Sequence, residues 1–239
     1  MNHQARQPAG IRALVVTAVE AERAAVLRGI RDGGPSRPAI DVLAAGVGPA
    51  AAAAITASAL AAAALAGAPY DLVMSAGIGG GFDGQADIGD LVVASEIVAA
   101  DLGAETPDGF RGVDELGFGA ARFPADGHWT ARIADGLRAA GLPVRTGPIL
   151  TVSTATGTAG TAARLAARIP GAAAEAMEGY GVAVAAHRSG VPVLEIRAIS
   201  NRVGPRDRSA WRIEEALDRL AAAGAVLGSL IGRDHAVPG

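Results

Sequence analysis

Short runs of apolar residues alternate with longer Ala-rich stretches along most of the chain. Ile11–Ala18 is apolar almost throughout, which predicts a strand buried on both faces, and Val19–Ile30 follows with helical spacing. The pattern repeats as strand Ile40–Ala45 and helix Pro49–Ala66, whose first-turn Pro loses nothing by lacking an N–H. Leu72–Ala76 reads as a strand ending in the glycine cluster Gly77–Gly81, and Asp90–Ala99 as another strand. Asp101–Asp126, rich in Gly and acids, reads as one long irregular loop of the kind that often carries function. Beyond it the spacing predicts helix Trp129–Ala140, strand Val144–Val152, helix Thr161–Arg168 and a short strand Ala172–Glu175. Helix Glu178–Ser189, strand Val191–Ser200 and a closing helix Trp211–Ile231 complete the series.

Strands alternating with helices predict a single three-layer α/β/α domain over residues 10–232, built on a central mixed, mostly parallel sheet. Residues 1–9 and 233–239 are polar, contain Pro or Gly, and are expected to be flexible tails. Half of the 239 residues are hydrophobic but only 3% are aromatic, so the core must come from close packing of small aliphatic side chains. All 21 basic residues are Arg, and the net charge of −3 argues against a nucleic-acid-binding surface. With no Cys there are no disulfides or thiolate metal sites, and His3, His128, His187 and His235 show no metal-ligand spacing. No metal and no cofactor are expected. The first residues lack the apolar core of a signal peptide, and Ala50–Leu65 is too short and weakly hydrophobic to span a membrane. The expectation is a cytoplasmic protein with no membrane partner.

In a mostly parallel sheet, ligands sit beyond the carboxyl ends of the strands. The polar residues there are Glu20 and Glu22, Gly46–Gly48, Ser75–Gly81, Ser153–Thr158, Glu175–Glu178 and Ser200–Arg208. Gly46, Gly48 and Ala51 satisfy a dinucleotide-binding pattern, but the next strand carries Asp71 at its beginning rather than an acid at its end, so the fingerprint is incomplete. A tight turn with close helix packing is the ordinary reading. An intermediate one has these N–H groups facing a polar ligand or water at a helix N-terminus.

Three residues could carry chemistry. Glu22, just after the first strand, could accept a proton from water. On local pattern alone it is an ordinary first-turn acid favoured by the helix dipole, like Glu20. Glu178 opens an Ala-rich helix in apolar, Gly-rich surroundings and could accept hydrogen bonds from sugar hydroxyls, or again be a helix-start acid. Asn201 ends an apolar strand, where its amide can donate and accept, or form a turn before Gly204-Pro205. Arg197 would point inward and needs a partner. Glu195 is not the expected one, although it could pair laterally; a loop acid is an equal possibility. Two carboxylates and an amide are the set needed to aim a water, steady a cationic sugar and let a base leave.

Taken together the segments resemble the nucleoside phosphorylase/nucleosidase superfamily from Ile11 to the last helix. Thr17-Ala18-Val19-Glu20-Ala21-Glu22 is similar to the A-M-E-x-E entry of methylthioadenosine nucleosidases, which implies Glu22 as the water-activating base. Ser75-Ala76-Gly77-Ile78-Gly79-Gly80 is similar to their S-x-G-x-x-G segment, which implies that Ser75, Ala76 and Gly77 lie beside ribose and base. Met177-Glu178-Gly179 is similar to the M-E-x segment, implying Met177 against the sugar and Glu178 on its hydroxyls. Arg197-Ala198-Ile199-Ser200-Asn201 is similar to R-x-I-S-D, implying Arg197 and Ser200 in the site. Ala155 and Thr156 are expected to contact substrate as well.

The adenine-cleaving members have Asp where this chain has Asn201, and an amide suits a 6-oxopurine such as hypoxanthine. A mismatched donor or acceptor costs roughly 1–3 kcal/mol. The stretch Leu194–Asn201, with Val203–Arg208 and Trp211–Ile213, resembles the futalosine hydrolase branch, whose substrate carries a carboxylated aryl ketone at its 5′ end. The resemblance implies release of hypoxanthine from futalosine in menaquinone biosynthesis. Arg206, Arg208, Arg212, Trp211, Phe118 and Phe123 are candidates for that 5′ group. A methylthioadenosine or adenosylhomocysteine nucleosidase is disfavoured by Asn201. A purine nucleoside phosphorylase is disfavoured because the loops Gly46–Gly48 and Gly77–Gly81 contain no Arg. A non-catalytic nucleoside binder would have no use for a water-activating acid. A purine nucleoside partner and a homodimer or higher homo-oligomer, whose neighbour completes the 5′ pocket, are further implications.

Overall fold

The computed structural model describes residues 10–33 and 39–233. The two expected tails therefore lie outside the described residues, apart from the backbone of Arg233. Strand β1 (Arg12–Thr17) pairs in parallel with β2 (Ala39–Ala44) on one side and β3 (Leu72–Gly81) on the other. β3 is parallel to β10 (Val193–Arg202), which runs antiparallel to β4 (Leu91–Ala99). β4 is parallel to β8 (Val144–Thr151), and β8 to β9 (Ala174–Ala176), which returns antiparallel to β3. The sheet is mixed and mostly parallel, as the alternation of elements predicts. Those last five pairings also close on themselves. This half of the sheet thus curls into a ring of strands, while β1 and β2 extend it as an open wing.

Two expectations are corrected. The glycines Gly77–Gly81 do not end β3; the strand runs through them. Glycine is needed because neighbouring backbone lies against the strand: a Cβ at Gly79 would be 2.8 Å from the Glu175 carbonyl oxygen. The segment Asp101–Asp126 is not one irregular loop. It holds a hairpin of β5 (Gly103–Thr106) and β6 (Gly109–Gly112), and β7 (Arg122–Pro124) pairs antiparallel with β4. These strands of three or four residues are too short to show an alternating pattern.

Helix α1 (Glu20–Asp32) packs on α6 (Ile213–Arg233), and α2 (Pro49–Leu65) on α5 (Gly179–Arg188); α3 (Gly127–Ala139) and α4 (Ala159–Arg168) complete the layers. Contact is backbone to backbone. Gly29 meets the Ala221 carbonyl and Gly181 the Pro49 carbonyl, with no room for a methyl at either. This is how a chain poor in aromatics makes a dense core. Gly29→Val is expected to force α1 off α6 at a cost of about 1–3 kcal/mol, lowering Tm by roughly 2–4 °C for each kcal/mol. An unchanged melting curve by circular dichroism would show that the two helices are not in close contact. Among the described residues no helix is long and apolar enough to cross a membrane.

Candidate active site

A cavity of about 370 Å³ opens where β1, β3, β9 and β10 end. Its walls include Glu22, Ile78, Thr156, Met177, Glu178 and Asn201. The three residues proposed to carry chemistry thus face one space.

Glu22 is buried in the first turn of α1. Its Oε2 accepts from the Ala18 and Val19 N–H groups at 2.9 and 3.2 Å, reaching back as the acid of a capping box does. Its Oε1 accepts from the Ile78 N–H of β3 at 2.9 Å. One carboxylate therefore caps the helix and lines the cavity at once. Oε2 has no capacity left, while Oε1 keeps a lone pair for a further donor.

Glu178 is the buried N-cap residue of α5. Its Oε1 accepts from the Gly48 N–H at 3.1 Å, and its Oε2 from the Met177 N–H at 3.3 Å. Gly48 holds φ of 97°, a left-handed value that favours glycine and turns its N–H inward. The glycine turn Gly46–Gly48 therefore binds the protein's own carboxylate.

Beneath both acids lies Arg197, 1% exposed. Its Nε donates to Glu195 Oε1 at 2.8 Å, its Nη2 to Ser75 Oγ at 2.9 Å, and its Nη1 lies 3.2 Å from Glu178 Oε2. Sequence reasoning set Glu195 aside as partner and allowed a loop acid. The structure corrects this: two residues apart on β10, the side chains share a face and pair laterally. Burial alone would pull the Arg197 proton off more easily, but Glu195, Glu178 and Glu22 outweigh it and hold the guanidinium above its ordinary pKa. Burial pushes Glu195 up to about 7 despite the opposing pull of Arg197.

Ser75, Ala76 and Gly77 were expected beside the ligand. They are buried within β3 behind the wall, which is made instead by Ile78, Gly79 and Gly80. The strand continues past the expected turn, so its open end comes later. Ser75 anchors Arg197, and Gly77 gives space: a Cβ there would lie 2.6 Å from both Arg197 Nη1 and Glu22 Oε1.

A bulge in β10 between Ile199 and Asn201 re-aims the strand end at the cavity. The Ser200 hydroxyl donates to Asn201 Oδ1 at 2.9 Å, and Asn201 Nδ2 donates to the Arg202 carbonyl at 2.9 Å. One N–H and one lone pair of the amide remain. Opposite, Ala155 and Thr156 line the cavity. Glu175 Oε1 accepts from the Thr156 N–H at 2.8 Å and Oε2 from its hydroxyl at 2.5 Å. Burial raises the Glu175 pKa, and the two bonds from Thr156 oppose the rise. From sequence, Glu175 was named only as part of a polar strand end and Glu195 only as a disfavoured partner of Arg197; neither was given a role in the site. An acid inside an otherwise apolar strand was the available signal in both cases.

Of the candidates for the 5′ group, Arg206 and Trp211 line the cavity, with the guanidinium 5.2 Å from the indole centre. Trp211 follows a 3-10 turn, Arg208–Ala210, rather than opening α6 as expected. Arg208 and Arg212 line a separate cleft that Trp211 also borders. Phe118 is exposed, and Phe123 packs on Tyr180 and His187 outside the cavity.

Residues 11–233 match the model of the phosphorylase superfamily. The chain is 58% identical to a futalosine hydrolase of Streptomyces coelicolor over 221 residues, covering 88% of this chain and 92% of that one. It is 49% identical to a futalosine hydrolase of Acidothermus cellulolyticus, covering 92% and 91%. Among solved structures, a native futalosine hydrolase of Helicobacter pylori superposes with a TM-score of 0.74 at 18% identity, covering 93% of this chain and 98% of that one. A methylthioadenosine/adenosylhomocysteine nucleosidase of Neisseria meningitidis, in complex with methylthio-immucillin-A, gives 0.74 at 19% identity, covering 91% and 99%. These last two likenesses concern the fold alone.

Proposed function

The chain belongs to the futalosine hydrolases of the phosphorylase superfamily, and on that premise we propose that it hydrolyses the N-glycosidic bond of futalosine, releasing hypoxanthine and dehypoxanthine futalosine in menaquinone biosynthesis. The observation that carries the reading is that Glu22, Glu178 and Asn201 line one cavity. In this reading Glu22 Oε1 takes a proton from the attacking water. Glu178 Oε1 accepts from ribose hydroxyls, and the two carboxylates stabilise the positive charge that develops on the sugar. The free N–H of Asn201 donates to N7 or O6 of the leaving purine. In the same reading Arg206 and Trp211, which line the cavity, bind the carboxylated aryl group at the 5′ end.

A phosphorylase is supported less well. The Gly48 N–H that would greet a phosphate already donates to Glu178, and the turn Gly46–Gly48 carries no cation. The test is incubation with futalosine, inosine and methylthioadenosine, with and without phosphate. Hypoxanthine from futalosine without phosphate is the expected result; adenine release or a phosphate requirement contradicts it. Asn201→Asp is expected to lower kcat/KM for the 6-oxopurine by about 5–150-fold, the equivalent of about 1–3 kcal/mol. Equal rates for variant and wild type would remove Asn201 from base recognition. The proposal includes a cytoplasmic location, checked by cell fractionation, and a homodimer or higher homo-oligomer. Val19 and Val47, 42% and 58% exposed beside the cavity, support assembly. Light scattering in solution tests it.

A further inference from the structure

Glu195 does not line the cavity. Its side chain is fully buried, Oε1 accepts from Arg197 Nε, and Oε2 has no hydrogen-bond partner among the described residues. A buried carboxylate oxygen without a donor is costly, and an apolar side chain of similar volume would avoid the cost. Room for the carboxylate is made by Gly179, where any Cβ would overlap it. The fold therefore accommodates an expensive group at a specific place.

That place is the root of the guanidinium. Arg197 is a planar fork, so holding Nε fixes where Nη1 and Nη2 point. Nη2 then reaches Ser75, and Nη1 sits between the two cavity acids, 3.2 Å from Glu178 Oε2 and beside Glu22 across Gly77. We propose that Glu195 is a positioning residue for the hydrolysis: it locks Arg197 in the one orientation that pairs its Nη1 with Glu178 and sets its charge beside Glu22. This rests on the nucleosidase reading above.

The ionisation of Glu195 follows from its surroundings. The charged groups facing it are Arg197 on its own strand and Glu178 at the start of α5, with Glu22 of α1 beyond Arg197. With burial raising its pKa to about 7, the carboxyl changes charge near neutrality. Ionised, it holds Arg197 by a charge-assisted bond and adds negative charge below a sugar that becomes cationic. Protonated, it does neither as well. The rate is accordingly expected to rise as pH passes upward through about 7.

The experiment measures kcat and KM of the full chain on futalosine at pH values either side of 7, for wild type, Glu195→Gln and Glu195→Leu. Gln keeps the shape and an acceptor for Nε. It is expected to leave KM nearly unchanged, to lower kcat roughly tenfold above neutrality, and to abolish the ionisation near 7 in the kcat profile. Leu releases Nε and is expected to lower kcat about 100-fold or more, the scale of a displaced catalytic group. Gly179→Ala, which drives a methyl onto the same carboxylate, should reproduce the Leu result. If Leu fails to fold, Gln decides. A Gln variant with wild-type kcat and an unshifted pH profile overturns the proposal, whether or not its Tm has dropped. Wild-type protein that releases no hypoxanthine sinks the functional reading, and this proposal with it.

Discussion

Replacing Glu22 by Gln is expected to lower kcat on futalosine by roughly 10²–10⁴, the range a positioned general base supplies, while KM changes little. Gln has the same shape, and its carbonyl oxygen can still accept from Ala18 and Val19, so α1 keeps its cap. Its amide nitrogen then faces the Ile78 N–H where Oε1 now accepts. That donor-against-donor contact is expected to cost about 1–3 kcal/mol of stability. More directly, the position that would take the proton of water can no longer do so. The decisive measurements are steady-state kinetics beside calorimetric binding of dehypoxanthine futalosine. Loss of turnover with binding intact supports the assignment. Turnover within a few-fold of wild type would move the base elsewhere.

Arg197→Met should have the largest effect on stability. Met matches the length of the side chain but leaves Glu195, Glu178 and Glu22 together without their cation. Removing one partner of a buried ion pair costs about 3–5 kcal/mol, and here three carboxylates share the loss. The pH dependence has a definite sign. In the wild type the Glu195 pKa is raised from 4.5 to about 7, so the native protein holds a proton that the unfolded chain has released between those values. Stability from this group is fully present below 4.5 and is lost as pH rises through about 7. Arg197 is the influence that lowers the Glu195 pKa. Without it the loss extends to higher pH, so the deficit of the variant should widen as pH rises. Urea midpoints on either side of neutrality test this, and activity should vanish along with the stability. A variant as stable as wild type, or a deficit that narrows with rising pH, would mean that the three acids do not depend on Arg197.

Much of this protein was legible in the chain. The Ala-rich stretch after Pro49 and the apolar run after Val191 read as helix and strand, because high Ala content over a long stretch favours helix and a short β-branched run favours a buried strand. The polar residues at strand ends followed from the rule that parallel strands deliver their carboxyl ends to one edge. Glu22, Glu178 and Asn201 were among them, and the resemblance to the nucleosidases is what set Glu22 apart from Glu20. Other features were not legible. Ser75, Ala76 and Gly77 sit behind the wall because β3 runs on through glycines that close neighbours demand, and no local pattern shows such neighbours. Glu195 was passed over because lateral pairing with Arg197 depends on how β10 curls against β3 and β4. The β5–β6 hairpin escaped because four-residue strands carry almost no periodicity.

Sequence by itself determined the helices and the longer strands, their order, the mixed α/β architecture and the chemical kinds of residue at the strand ends, since periodicity, caps and side-chain chemistry are local properties. Only the tertiary structure decided which oxygen of Glu22 is spent on its helix and which faces the cavity. It also decided that the Gly48 amide is taken by Glu178, and that one buried guanidinium ties Glu195 to Glu178 with Glu22 close by. Those outcomes depend on distances between residues far apart in the chain, and such distances are set when the sheet curls and closes, not by any stretch of neighbouring residues.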